Sequence, residues 1–123
     1  MLAKQWMMIG CLSAFFAVVL GAFGGHVLKE TLSEKAFSIY LVAVQYHMYH
    51  ALALIGLGAW AMQTGGNSSY YSGCAFTFGI MAFSGSLYAL AITDLKFLGI
   101  ITPIGGLSFL FGWASFAYAV WRS

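Results

Sequence analysis

The sequence predicts an all-α integral membrane protein: an antiparallel bundle of four transmembrane helices over about residues 5–25, 36–62, 70–92 and 97–121. Three observations predict it. Hydrophobic residues make up 62% of the chain and charged residues 7%, whereas about a quarter of a soluble domain is charged. The apolar residues fall in four blocks, and each meets the requirement of about 20 residues for a helix to cross a hydrocarbon core about 30 Å thick. The five basic and three acidic residues all lie at or near the ends of these blocks. A net charge of +2 with no basic stripe leaves no footprint for nucleic acid, so the lipid bilayer is the expected partner.

The first block follows Lys4 and ends at the glycines before His26. Its start imitates a signal peptide, with Ala22-Phe23-Gly24 in the place of a cleavage site, and is read as a retained first span. Between the first two blocks, Thr31-x-x-Glu34 matches a capping box for the second helix. Leu28, Leu32 and Ala36 would share one face of a helical turn lying on the membrane interface. The second and third blocks are joined by an uncharged turn, residues 64–69, in which Asn67-Ser68-Ser69 fits a glycosylation acceptor triplet. The third and fourth are joined by Thr93-Asp94-Leu95-Lys96. Pro103 lacks an amide donor, so it is either the first residue of a helix capped by Thr102 or a kink in a longer one.

Short connections make successive helices antiparallel neighbours. The whole chain, residues 1–123, then forms one four-helix domain with both termini on one face. Lys4 and Arg122 mark that terminal face, and Lys29, Lys35 and Lys96 mark the opposite one, so counting bases does not orient the chain. Cys11 and Cys74 fall inside spans without metal-ligand spacing and are read as buried thiols.

Lipid tails are as apolar as leucine, so close packing and interhelical hydrogen bonds must hold the helices together. Small residues mark the expected contacts. They are Gly10, Ala14, Ala17, Gly21 and Gly25 on the first helix; Ala75, Gly79, Ala82 and Ser86 on the third; and Ser108, Gly112, Ser115 and Ala119 on the fourth. Trp6, Tyr70, Tyr71 and Trp121 read as an aromatic belt at the terminal face.

Polar side chains converge on one half of the bilayer when depth is assigned by alternating helix direction. His26 ends the first helix. Gln45, Tyr46, His47 and His50 lie on the second, Ser84, Ser86 and Tyr88 on the third, and Thr102 on the fourth. Unpaired polar groups are expensive in hydrocarbon, so His47, His50, Gln45 and Ser84 are expected to face the interior. One reading is interhelical glue. The other is a polar cavity open to the opposite face, with His50 handling protons. No carboxylate lies in a span to complete a metal site around His26, His47 and His50, so no metal or cofactor is expected. No catalytic constellation is visible either: Ser84 and Ser86 lack an aspartate partner at their depth.

Four stretches carry a family resemblance. They are Gly21-Ala22-Phe23-Gly24-Gly25-His26; the segment from Tyr46 to Leu54 with His50; Phe83-Ser84-Gly85-Ser86-Leu87-Tyr88; and Thr102-Pro103-Ile104-Gly105-Gly106 followed by Gly112-Trp113. Through them nearly the whole chain resembles the bacterial membrane family known as domain of unknown function 423, which is related to eukaryotic transmembrane protein 256. The resemblance implies a small four-helix protein of the bacterial inner, or plasma, membrane with cytoplasmic termini, and no established reaction, substrate or cofactor. Gly25 stands where the family pattern has a small alanine, and His47 is less typical of it than His50. The functional expectation is a binding or transport-type module whose cavity admits a proton, a small anion or a lipid headgroup. The alternative is a structural or interaction protein whose small-residue faces bind a second copy or another membrane protein.

Overall fold

The computed structural model describes residues 2–65 and 67–123. It contains the four expected spans as helices α1 Leu2–Thr31, α2 Glu34–Thr64, α3 Tyr70–Thr93 and α4 Lys96–Arg122. Each helix runs past its apolar block because backbone hydrogen bonding continues into the headgroup layer, where polar side chains are welcome.

The connection between α1 and α2 departs from expectation. No separate interfacial turn forms over residues 28–35. Instead α1 widens into a π turn at Gly24–Leu28 and continues to Thr31, and the chain breaks only at Leu32 and Ser33, which are extended (ψ 151° and 162°). Thr31 is therefore still helical and cannot cap α2; its hydroxyl donates backward to the Val27 and Leu28 carbonyls at 3.5 and 3.4 Å. Ser33 is the cap, its hydroxyl accepting the Ala36 amide at 3.1 Å.

Left-handed residues end the next two helices. Gly65 (φ 92°) closes α2 by donating its amide to the Ala61 carbonyl, and Asp94 (φ 59°) closes α3 by donating to Leu90. Aspartate is among the few side chains that tolerate this geometry. In the turn after α2, Gly66 lies outside the described residues, as does the Asn67 side chain on which the acceptor triplet depends. The first turn of α4, Lys96–Ile100, is a 3₁₀ turn that passes into regular α-helix at Ile101. Pro103 sits in that α-helix's first turn, where a missing amide is best tolerated, and Thr102 lies inside the helix rather than at its cap.

In space α1 packs on α2, α2 on α3 and α3 on α4. The middle two are the inner pair: the most apolar stretches of α2 and α3 are 44% and 50% buried, against 17% for each of α1 and α4. Glycines set these contacts. A methyl group on Gly10 would stand 2.8 Å from the Ala51 carbonyl oxygen on α2, one on Gly79 would strike the Phe109 ring, and one on Gly112 would sit 2.8 Å from Phe76. Ala17 and Ala82 are buried, Ala14 is half-buried, and a methyl on Gly21 would come within 3.3 Å of Val44. Gly25 does not pack: nothing lies near it, and Gly24 meets Tyr40 instead. Steps of four residues drift off the 3.6-residue repeat, and a three-residue step from Gly21 brings the stripe back to α2.

Two further expectations fail for a related reason. Trp6 is buried at 6% exposure among Leu54, Leu57 and Phe76, filling the space left by Gly73 rather than anchoring in the belt. Tyr70, Tyr71 and Trp121 are exposed as a belt requires. Cys11 and Cys74 point outward instead of inward. An outward thiol meets lipid as apolar as the interior, so nothing drives it in.

Candidate functional site

Two histidines one turn apart on α2 organise the polar cluster. His47 lies between α1 and α3, with Nδ1 2.8 Å from the Tyr88 hydroxyl and Nε2 3.1 Å from the Ser13 hydroxyl, so one ring ties three helices together. Both partners can donate or accept, and they suit either tautomer. His50 is more tightly specified. Its Nδ1 lies 2.8 Å from the Tyr46 carbonyl oxygen, which only accepts, and its Nε2 receives the Trp113 indole N–H at 3.0 Å. Nδ1 therefore carries the ring proton and Nε2 is bare. The imidazole also lies flat on the Phe109 ring, centroids 3.5 Å apart. Taking up a second proton at Nε2 would set two N–H groups head to head, so the expectation that His50 handles protons conflicts with its surroundings.

The hydroxyls around the histidines are bonded in the same way. Ser84, fully buried, donates to the Ala43 carbonyl at 2.8 Å and joins α3 to α2. Ser86 lies 2.6 Å from the Thr102 hydroxyl and joins α3 to α4. Tyr40 donates to the Leu20 carbonyl, linking α2 to α1. Toward the terminal face, Ser108 donates to the Ala75 carbonyl at 2.7 Å and Ser72 pairs with Ser115 at 2.8 Å. Every neighbouring pair of helices is thus hydrogen-bonded across its seam, and α2 is also bonded to α4 through His50.

Within the expected set His47 meets Tyr88 and Ser86 meets Thr102, Ser84 and His50 bond to the Ala43 carbonyl and to Trp113, and three residues expected there turn their side chains elsewhere. His26 is exposed on the π turn, and Gln45 is exposed on the outward face of α2. Tyr46 contributes its carbonyl, while its ring stands at the surface against Phe83. Sequence reasoning missed Ser13, Tyr40 and, as the His50 partner, Trp113. The available signal for Trp113 was an indole N–H in mid-span, a donor that needs an acceptor.

The clefts differ from the expected cavity. The one His50 lines, of about 370 Å³, is a sideways groove between α2 and α4 rimmed by the exposed Tyr49, Leu110 and Trp113. A cleft of about 150 Å³ does lie on the opposite face, between Ser33, Lys35, Ala36, Leu90, Asp94 and Lys96, and none of the candidate residues lines it. The terminal face holds a larger cleft of about 570 Å³ beside Thr64, Ser115, Tyr118 and Arg122. Among the described residues, no three of His, Cys, Asp and Glu gather as metal ligands.

Residues 20–106, more than half of the chain, match the family model described as "Protein of unknown function (DUF423)". The chain belongs to the DUF423 family. The family segment includes the candidate residues from His26 to Thr102, while Ser13 and Trp113, which bond the two histidines, lie beyond it. Relatives extend the likeness over most of the chain. A "UPF0382 membrane protein" of Staphylococcus epidermidis is 46% identical over 89% of this chain and 89% of its own length. The "UPF0382 membrane protein YwdK" of Bacillus subtilis is 41% identical over 89% of this chain and 90% of its own. The "UPF0382 inner membrane protein YgdD" of Escherichia coli K12 is 36% identical over 93% and 87%. No solved structure gives a significant match. With four apolar spans and relatives named as membrane proteins, this DUF423 chain is a membrane protein of a family with no established activity.

Proposed function

We propose that the chain is a membrane-embedded interaction module, a single four-helix unit whose intramembrane polar residues lock its own helices together. This is the second of the two functional expectations. The observation that carries it is the pairing of the histidines: both ring nitrogens of His47 and of His50 already have partners within the chain. A proton path or an anion site needs polar groups that can exchange partners with a passing ligand, and those of a fully bonded histidine would first have to break bonds in a medium that offers no water to replace them.

Liposomes test this. Vesicles holding the purified chain should lose an imposed pH gradient no faster than empty vesicles. A faster loss that disappears in the His47→Ala or His50→Ala protein would overturn the reading in favour of a conduit. We further propose that the termini face the cytoplasm of a bacterial inner membrane, in line with the inner-membrane name of the Escherichia coli relative. A reporter that works only in the periplasm, fused after Ser123, should then stay silent.

A further inference from the structure

Gln45 is the one carboxamide in the middle of a span. It lies four residues from Tyr49, the midpoint of the 31-residue α2, so its side chain leaves the helix about 6 Å from mid-membrane. It is exposed, and among the described residues it makes no hydrogen bond, whereas Ser84, Ser86, His47 and His50 at similar depth are all bonded. A carboxamide in hydrocarbon leaves two donors and an acceptor unsatisfied, at a cost of several kcal/mol.

The face around it has the pattern of a helix seam. Ser38, Gln45, Leu52 and Ala59 follow at seven-residue intervals and are all exposed, with Tyr49 and Gly56 between them, also exposed. A repeat of seven residues keeps one stripe against a partner helix along a left-handed crossing, the commonest crossing in membrane bundles. Gly56 leaves a notch in this stripe, since a methyl group there would meet nothing within the chain.

From these observations we infer that α2 is the surface on which a second copy of this chain docks, with the Gln45 carboxamides paired across a two-fold axis along the membrane normal. The inference rests on the interaction reading above and names its partner. The chemistry selects the partner. Copies inserted with the same topology meet with α2 parallel to α2, so a two-fold contact sets each residue against its own counterpart. An amide is one of the few neutral groups that complement themselves, each N–H donating to the other's carbonyl oxygen. A lipid chain offers Gln45 no acceptor, and a single buried polar residue in a heptad seam fixes register as well as partner.

The test uses the full chain in detergent and in nanodiscs, with the monomer–dimer equilibrium read by energy transfer between labelled copies. Wild type should dimerise, and Gln45→Leu should weaken the dimer about threefold to tenfold. Gly56→Ile should weaken it by bulk. Gln45 is exposed and bonded to nothing among the described residues, and a methyl group at Gly56 would meet nothing, so far-ultraviolet circular dichroism and thermal unfolding of the monomer should not change. In a background lacking Cys11 and Cys74, cysteines at positions 45, 52 and 56 should cross-link between copies and one at Leu107, exposed on α4, should not. A chain that stays monomeric up to millimolar detergent-phase concentration, or that cross-links at Leu107 and not at the seam, overturns the inference. A monomer in proton-tight liposomes defeats the self-docking alone, whereas a histidine-dependent leak defeats the interaction reading beneath it.

Discussion

An acceptor on one side and a donor on the other hold the His50 ring, and that pairing dictates where its proton sits. Nitrogen NMR of the ring at neutral pH should show Nδ1 protonated and Nε2 bare in wild type; a ring protonated at Nε2 would mean that Trp113 is not its donor. Depth along the chain was enough to foresee most of this cluster. Counting residues from the membrane boundary put His47, His50, Ser84, Ser86, Tyr88 and Thr102 at one depth; of these His47 bonds Tyr88 and Ser86 bonds Thr102, while Ser84 and His50 find their partners in the Ala43 carbonyl and Trp113. The same count put Gln45 and His26 with them, and failed. Which way a residue faces around a helix is normally read from apolar periodicity, and in a bilayer that signal vanishes because the outward face is as apolar as the inward one. Gln45 is displaced around α2 from His47 by two residues, enough to send one side chain into the bundle and the other out of it.

The elements were legible where their chemistry is local. Four helices follow from block length, and the stripe of α1 follows from its small residues, but its continuation past Gly21 does not. Two π segments, Gly24–Leu28 near the end of α1 and Ile80–Ser84 in the middle of α3, both abut α2, at Tyr40 and Ala43. Nothing in composition marks either as a wide turn: one reads Gly-Gly-His-Val-Leu and the other Ile-Met-Ala-Phe-Ser. The glycines offer a controlled comparison of packing. Gly10→Val puts a branched side chain against the α2 backbone, where overpacking costs about 1–3 kcal/mol. Gly25→Ala meets open space and should change little. Unfolding in a graded series of sodium dodecyl sulfate mixtures should separate the two by at least about 1 kcal/mol; equal effects would mean that the α1–α2 contact is not set at Gly10.

Across the whole molecule, an inner pair of helices carries one outer helix on each flank, and the polar side chains cross every seam between them. That arrangement leaves α2 and α4 parted by a groove of about 370 Å³, bridged, among the described residues, by a single side-chain hydrogen bond between His50 and Trp113. The sequence could not show this opening, because the lengths of the connections fix which helices are neighbours along the chain and say nothing of the distance between α2 and α4. If the intramembrane polar groups are there to join helices, this bridge should have a measurable coupling. A double-mutant cycle on the purified chain, His50→Ala, Trp113→Phe and both together, read by reversible unfolding in mixed micelles, measures it most directly. The two losses should overlap, with a coupling of about 0.6–1.7 kcal/mol. Strictly additive losses would mean that the indole and the imidazole act independently, and would contradict the account of His50 as a bonded cross-link.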